Sequence, residues 1–202
     1  VGIEAVLFDI GGVLEIVEEP VWTTPWGYPS IDALDTTHGL VVSEDYTLGY
    51  RTEADLRAIY AGALGLDAAG ADAFMAAMWD WYCGSLDEPL MRWARELTVT
   101  HRVGILSNSV DGARREEESR YAFSEVFDPI AYSHEIHLSK PDPRAFRHVC
   151  DLWGLEPGQV VFIDDVPENV DAASAMGMAA FLHRGDTVAT ITAVDTLLAR
   201  QA

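Results

Sequence analysis

Lysine is almost absent from this sequence. Of its 13 basic residues, Lys140 is the one lysine and the rest are arginine. A compact, flexible ammonium and a planar guanidinium suit different tasks, so the one place where the chain departs from arginine is a candidate for chemistry. Cysteine is nearly as scarce. Cys83 and Cys150 stand alone and far apart, which excludes a disulfide framework and zinc-ligand spacing and leaves two small apolar side chains for the interior. No apolar run approaches the length of a membrane span. The first residues read straight into a strand, with no succession of basic region, apolar region and cleavage site, so a soluble cytoplasmic protein without a membrane partner is expected. Positive charge is short overall. The formal net charge is −20, which repels nucleic acid and anionic membranes and would repel an anionic substrate unless positive charge is placed locally. Repeats, low-complexity tracts and long polar linkers are missing as well, and the sequence carries no sign of an oligomeric state.

What is present suits one domain with a smaller appendage: 202 residues, 49% of them hydrophobic. Ile3 to Phe8 is rich in β-formers and runs into Asp9 and Gly11-Gly12, a buried strand entering a tight turn. Residues 15–50, with Pro20, Pro25 and Pro29, read as irregular. Three amphipathic helices follow, with apolar faces at Leu56, Ile59, Tyr60 and Leu64, then Phe74, Met75, Met78 and Tyr82, then Leu86, Leu90, Trp93 and Leu97. From there strands and helices alternate. Val103 to Leu106 ends in Ser107-Asn108, Pro129 to Tyr132 is a weaker strand, and Val160 to Ile163 ends in Asp164-Asp165. Asp142 caps a helix with Pro143 at its first position and Gly154 at its end. The alternation predicts an α/β fold, a Rossmann-like, doubly wound sheet of mostly parallel strands. In such sheets ligands bind beyond the carboxyl ends of the strands, and there the tips would place Asp9, Ser107-Asn108 and Asp164-Asp165 together. About 90 residues separate the first strand from the second, so a helical insertion is expected.

Three carboxylates at close range repel one another unless a hard cation with oxygen ligands neutralises them, and Mg²⁺ fits that description. Ser107, with backbone N–H groups, offers hydrogen bonds to a phosphate, and Lys140 a point charge. This set suits phosphoryl transfer, with an aspartate as nucleophile. At this point the chain resembles the haloacid dehalogenase-like hydrolases. The resemblance rests on Leu7-Phe8-Asp9-Ile10-Gly11-Gly12-Val13-Leu14, Ile105-Leu106-Ser107-Asn108-Ser109, Lys140-Pro141-Asp142-Pro143 and Phe162-Ile163-Asp164-Asp165-Val166-Pro167-Glu168-Asn169, in that order. It implies a core of residues 1–15 and 91–202 with a helical cap over 16–90. It makes Asp9 nucleophile and metal ligand, and puts Ser107 and Asn108 on the phosphate with Lys140 holding it. The backbone of Gly11 and the carboxylates of Asp164 and Asp165 complete a Mg²⁺ site. The implied partner is a phosphorylated small molecule.

One position departs from the resemblance. Gly11 stands where phosphatases of this family usually carry a second Asp as general acid and base, help worth roughly 10²–10⁴ in rate. Three outcomes are open. The chain is a phosphatase that uses a good leaving group or borrows a carboxylate, with Glu15, Glu18 and Glu19 close in sequence and His137 where relatives often have Gly. It is a metal-independent 2-haloacid dehalogenase, although such enzymes lack the Asp-Asp pair. Or it is a degraded site that binds phosphate without turnover. Elsewhere, His134 and His137 read as ordinary loop histidines. Trp22, Trp26 and Tyr28 read either as a stacking platform for a ring or as a small satellite core, and Trp79 and Trp81 as packing inside the cap. Arg114 and Arg115 with Glu116, Glu117 and Glu118 read as a solvated helix face.

Overall fold

Ala5–Phe8 forms β1, four residues with no exposed side chain. Its neighbours explain why. In the computed structural model, which describes residues 2–17 and 22–200, β1 lies at the centre of a five-stranded parallel sheet and is covered on both faces. Along the chain, β1 is followed by β2 (Glu15–Ile16), α1 (Ile31–His38), α2 (Glu44–Thr47), α3 (Glu53–Leu64), α4 (Ala68–Cys83) and β3 (Ser85–Leu86). After these come α5 (Glu88–Leu97), β4 (Arg102–Ser107), α6 (Ala113–Tyr121), β5 (Ile130–Tyr132), α7 (Ser133–Ile136) and α8 (Pro143–Trp153). The chain closes with β6 (Val160–Asp164), α9 (Pro167–Ala175), β7 (Ala179–Leu182) and α10 (Thr187–Ala199).

The sheet order is β5-β4-β1-β6-β7. Phe8 is level with Ile105 of β4 and Ile163 of β6, so the residues that follow all three strands emerge at one edge. Side chains alternate along β1. Val6 and Phe8 enter a core with Trp93, Ala94, Phe127 and Val194, and Ala5 and Leu7 enter another with Phe146, Val149, Phe162 and Ala173. This is the α/β, doubly wound arrangement expected. The helix α5 illustrates the packing: Leu90, Met91, Trp93, Ala94 and Leu97 are buried at helical spacing, each large side chain contributing about 1.5–3 kcal/mol. No described helix is long and apolar enough to cross a membrane.

Helices α1 to α4 lie between β2 and β3, and these two short strands pair antiparallel, Glu15 with Leu86 and Ile16 with Ser85. The insertion therefore leaves and returns through one two-stranded neck. Residues 15–50 are not irregular throughout. Helix α1 is capped by Ser30, whose hydroxyl accepts from Ala33 N, and ends at Gly39 in the left-handed conformation. It buries Leu34 alone, so no apolar stripe announces it. The aromatic residues form the small satellite core: Trp22 and Trp26 set their edges against Phe74, and Trp22 stacks on Trp81 with ring centroids 5.8 Å apart.

Candidate active site

The strand tips meet as the sequence implies. One oxygen from each of Asp9, Asp164 and Asp165 lies within 4.8 Å of the others. Lys140 Nζ sits 2.7 Å from Asp9 Oδ1 and 2.7 Å from Asp164 Oδ2, and its side chain is wholly buried. The solitary ammonium is thus the counterion of the carboxylate cluster. Removing one partner from such a buried pair typically costs about 3–5 kcal/mol. Burial pushes the Asp9 carboxyl up to about 7, Asp164 adds to the rise, and Lys140 pulls the other way. Asp165 is raised by burial and by the charge of Asp164.

Local structure fixes each part. Asp9 Oδ1 also accepts from Ile10 N at 2.7 Å. Asp164 is held by four contacts: Lys140 Nζ, Val166 N at 2.8 Å, and Asn169 Nδ2 at 3.0 and 3.1 Å. Gly12 has φ +72°, and a Cβ there would lie 2.2 Å from Asp165 Oδ2, so only glycine lets Asp165 close over the turn. A Cβ on Gly11 would meet nothing within 4 Å; sterics do not forbid a side chain there. Ser107 is buried and lines the same pocket as Asp9, which has a volume of about 290 Å³. Asn108 lines it too, but its side chain is committed elsewhere. Nδ2 donates to Lys140 O and Oδ1 accepts from Lys140 N, both at 2.8 Å. Its amide grips the backbone that carries the lysine, so the main chain of Asn108 is what remains for a phosphate.

Asp142 is the cap of α8, accepting from Arg144 N at 2.9 Å. His134 Nδ1 pairs with Ser109 Oγ, and His137 Nδ1 with Leu48 O; neither belongs to a metal-ligand cluster among the described residues. His137 has φ +56°, a left-handed turn that glycine adopts more easily, and its ring stacks on Tyr50 of the insertion. Trp79 is buried and donates to Glu53 Oε1 at 2.6 Å, but its ring lies against Gly112 at the start of α6 rather than wholly inside the insertion, and Trp81 reaches the pocket wall. Glu18 and Glu19 lie outside the described residues. Glu117 corrects the sequence reading. It is wholly buried, not on a solvated face, because α6 turns Ala113 and Glu117 inward. Glu117 and the equally buried Glu15 both line the pocket. Periodicity does not reveal them, since an inward helix face of alanine and carboxyl carries no apolar signal.

The sequence model of the haloacid dehalogenase-like hydrolases matches residues 3–177. The chain belongs to this family. Among curated relatives, the N-acylneuraminate-9-phosphatase of Rattus norvegicus is 33% identical over 84 residues, 42% of this chain and 34% of that protein. The chain thus spans about a third of that relative's length. Among solved structures, the haloacid dehalogenase-family enzyme bt-2542 of Bacteroides thetaiotaomicron superposes with a TM-score of 0.81 at 22% identity, covering 92% of this chain and 95% of that one. The same enzyme has been solved with magnesium and inorganic phosphate. The 2-haloacid dehalogenase of Pseudomonas syringae has a TM-score of 0.71 at 18% identity, covering 99% and 100% of the two chains. At these identities the structural likenesses establish the haloacid dehalogenase-like fold, which phosphatases and dehalogenases share.

Proposed function

We propose that this haloacid dehalogenase-like hydrolase is a Mg²⁺-dependent phosphatase that cleaves a small-molecule phosphate monoester through an aspartyl-phosphate on Asp9. The observation that carries the reading is the cluster itself: three carboxylates at one sheet edge with one buried ammonium between two of them. Its donors are all oxygen, the set a hard divalent cation takes, and a dehalogenase that needs no metal has no use for Asp165. Asp9, Asp164, Asp165 and the Gly11 carbonyl would hold Mg²⁺. When bound, the ion neutralises charge on the phosphoryl oxygens.

The chain's own residues supply the rest. Lys140 pairs with Asp9, opposing the rise that burial imposes on its carboxyl, and offers a second positive charge to the phosphoryl group, and Ser107 donates a hydrogen bond to it. Asn108 positions Lys140 by gripping its backbone. Residues 16–90 act as a cap whose movement about the β2–β3 neck excludes bulk water. The relative named as a phosphatase and the neighbour solved with magnesium and phosphate support this assignment.

The test is a metabolite-phosphate screen with Mg²⁺, repeated with EDTA and with Asp9→Asn. Turnover should vanish in both and return with Mg²⁺ in the wild type alone. Phosphate release that persists in Asp9→Asn would remove Asp9 as nucleophile. Halide release indifferent to EDTA would make the chain a dehalogenase, and binding of phosphate without any turnover would make it a non-catalytic module.

A further inference from the structure

Gly11 leaves no side chain beside Asp9 to protonate a departing oxygen. The pocket supplies two carboxyl groups from elsewhere. Glu15 comes from the neck of the insertion and Glu117 from the inward face of α6, and both line the pocket with Asp9, Ser107 and Lys140. Both are wholly buried. Among the described residues neither forms an ion pair. Glu117 Oε2 accepts a hydrogen bond from the Tyr132 hydroxyl, while Glu117 Oε1 and both oxygens of Glu15 have no partner among the described residues. A native interior rarely keeps a carboxyl group in that condition without a use for it.

We propose that Glu117 is the general acid and base of the phosphatase reaction, replacing the side chain missing at Gly11. This rests on the phosphatase reading above. In the first half-reaction an Asp9 oxygen bonds to phosphorus as the ester P–O bond breaks. The ester oxygen takes the proton of Glu117 and leaves as the alcohol. In the second half-reaction water attacks the phosphorus of the aspartyl-phosphate and gives one proton to the Glu117 carboxylate. The P–O bond to Asp9 breaks, phosphate departs, and both carboxyl groups return to their starting states. Tyr132 occupies Oε2, which leaves Oε1 for the transfer. Burial disfavours the charged form of a carboxyl, so Glu117 keeps its proton until the leaving oxygen claims it. Burial raises Glu117 to about 8, against the Tyr132 hydrogen bond.

A merely structural role and a proton-donating one differ in their dependence on the leaving group. A nitrophenolate departs without a proton, whereas a phenolate or alkoxide benefits from one. With Mg²⁺ present, kcat/KM is measured for 4-nitrophenyl phosphate and phenyl phosphate on the wild type and on Glu117→Gln. The variant should lose activity on both, with the loss on phenyl phosphate larger by at least about tenfold, within the roughly 10²–10⁴ range of acid–base help. Equal losses on the two esters overturn the proposal. So does a loss confined to phosphoethanolamine, which would make the acidic pair a subsite for an ammonium group. If the wild type hydrolyses no ester at all, the phosphatase reading fails and the proposal falls with it, a result distinct from a failed Glu117→Gln comparison. Should Glu117→Gln not fold, Tyr132→Phe releases Oε2 without altering the carboxyl. It must also slow phenyl phosphate more than 4-nitrophenyl phosphate, and equal slowing again overturns the assignment.

Discussion

Replacing Glu15 with methionine should stabilise the protein, and by a margin that grows with pH. Glu15 is wholly buried and, among the described residues, both of its oxygens lack partners, while its structural contribution is made by the backbone. Its N–H donates to Ile10 O at 2.9 Å, its C=O accepts from Gly12 N at 2.8 Å, and its strand pairs with Leu86. Methionine keeps these bonds and the approximate length of the side chain. At pH 5 the gain is the cost of unsatisfied polar atoms, about 1–3 kcal/mol. The second part comes from proton linkage. Burial, with Glu117 adding to it, raises the Glu15 carboxyl from 4.5 to about 10. The folded chain therefore holds a proton that the unfolded chain releases above pH 4.5. The stability associated with that proton is fully present below pH 4.5 and is lost as pH rises toward 10. Each pH unit in that window is worth up to about 1.4 kcal/mol, so between pH 5 and 8 the wild type loses up to roughly 4 kcal/mol that Glu15→Met does not. For a chain of this size 1 kcal/mol corresponds to about 2–4 °C in Tm, so the gap should widen by as much as about 16 °C. Thermal unfolding of both proteins at pH 5 and pH 8 measures it. A gap that stays constant or narrows with rising pH would show that Glu15 is not held neutral in the fold.

Two substitutions at glycine test packing. In β4, a Cβ on Gly104 would come within 2.6 Å of the Trp153 ring and 2.8 Å of the Pro129 carbonyl; Gly104→Ala should cost about 1–3 kcal/mol by overpacking, read as a lower denaturant midpoint. Gly12→Ala places a methyl on Asp165 and forces a side chain into φ +72°. It should weaken Mg²⁺ binding measured by calorimetry at least about tenfold, and an unchanged affinity would argue that Asp165 is not a ligand.

The sheet and the carboxylate cluster are legible in the sequence because turns punctuate them. Asp9 precedes Gly11-Gly12, Asp164-Asp165 precede a helix opened by Pro167, and each strand is an apolar run of ordinary length. The lysine is legible because it is alone. Helix α1 is harder to see, since eight residues that bury only Leu34 leave the signal to Ser30 and Gly39 at its ends. The carboxyls of Glu15 and Glu117 are harder still. A sequence reader assigns RREEES to water, and that rule holds for Arg115 and Glu116, which pair at the surface. Only the approach of Tyr132 from β5 and the neck strand β2 turns Glu117 into an interior group. These contacts join residues far apart in sequence, and no local pattern encodes them. The commitment of the Asn108 amide to the Lys140 backbone is likewise a tertiary fact, although both residues stand in recognisable motifs.

The burial of Lys140 has a consequence outside catalysis. Its side chain has no exposed surface, and the sequence contains no other lysine. The native fold consequently presents no lysine amine to acylating reagents, to glycation by sugars or to ubiquitin-type conjugation. Covalent chemistry of that kind can reach Lys140 only when the core opens, and when reclosure is fast its rate follows the population of the opened state. The residue that balances the carboxylates is therefore also a built-in reporter of how often the sheet comes apart.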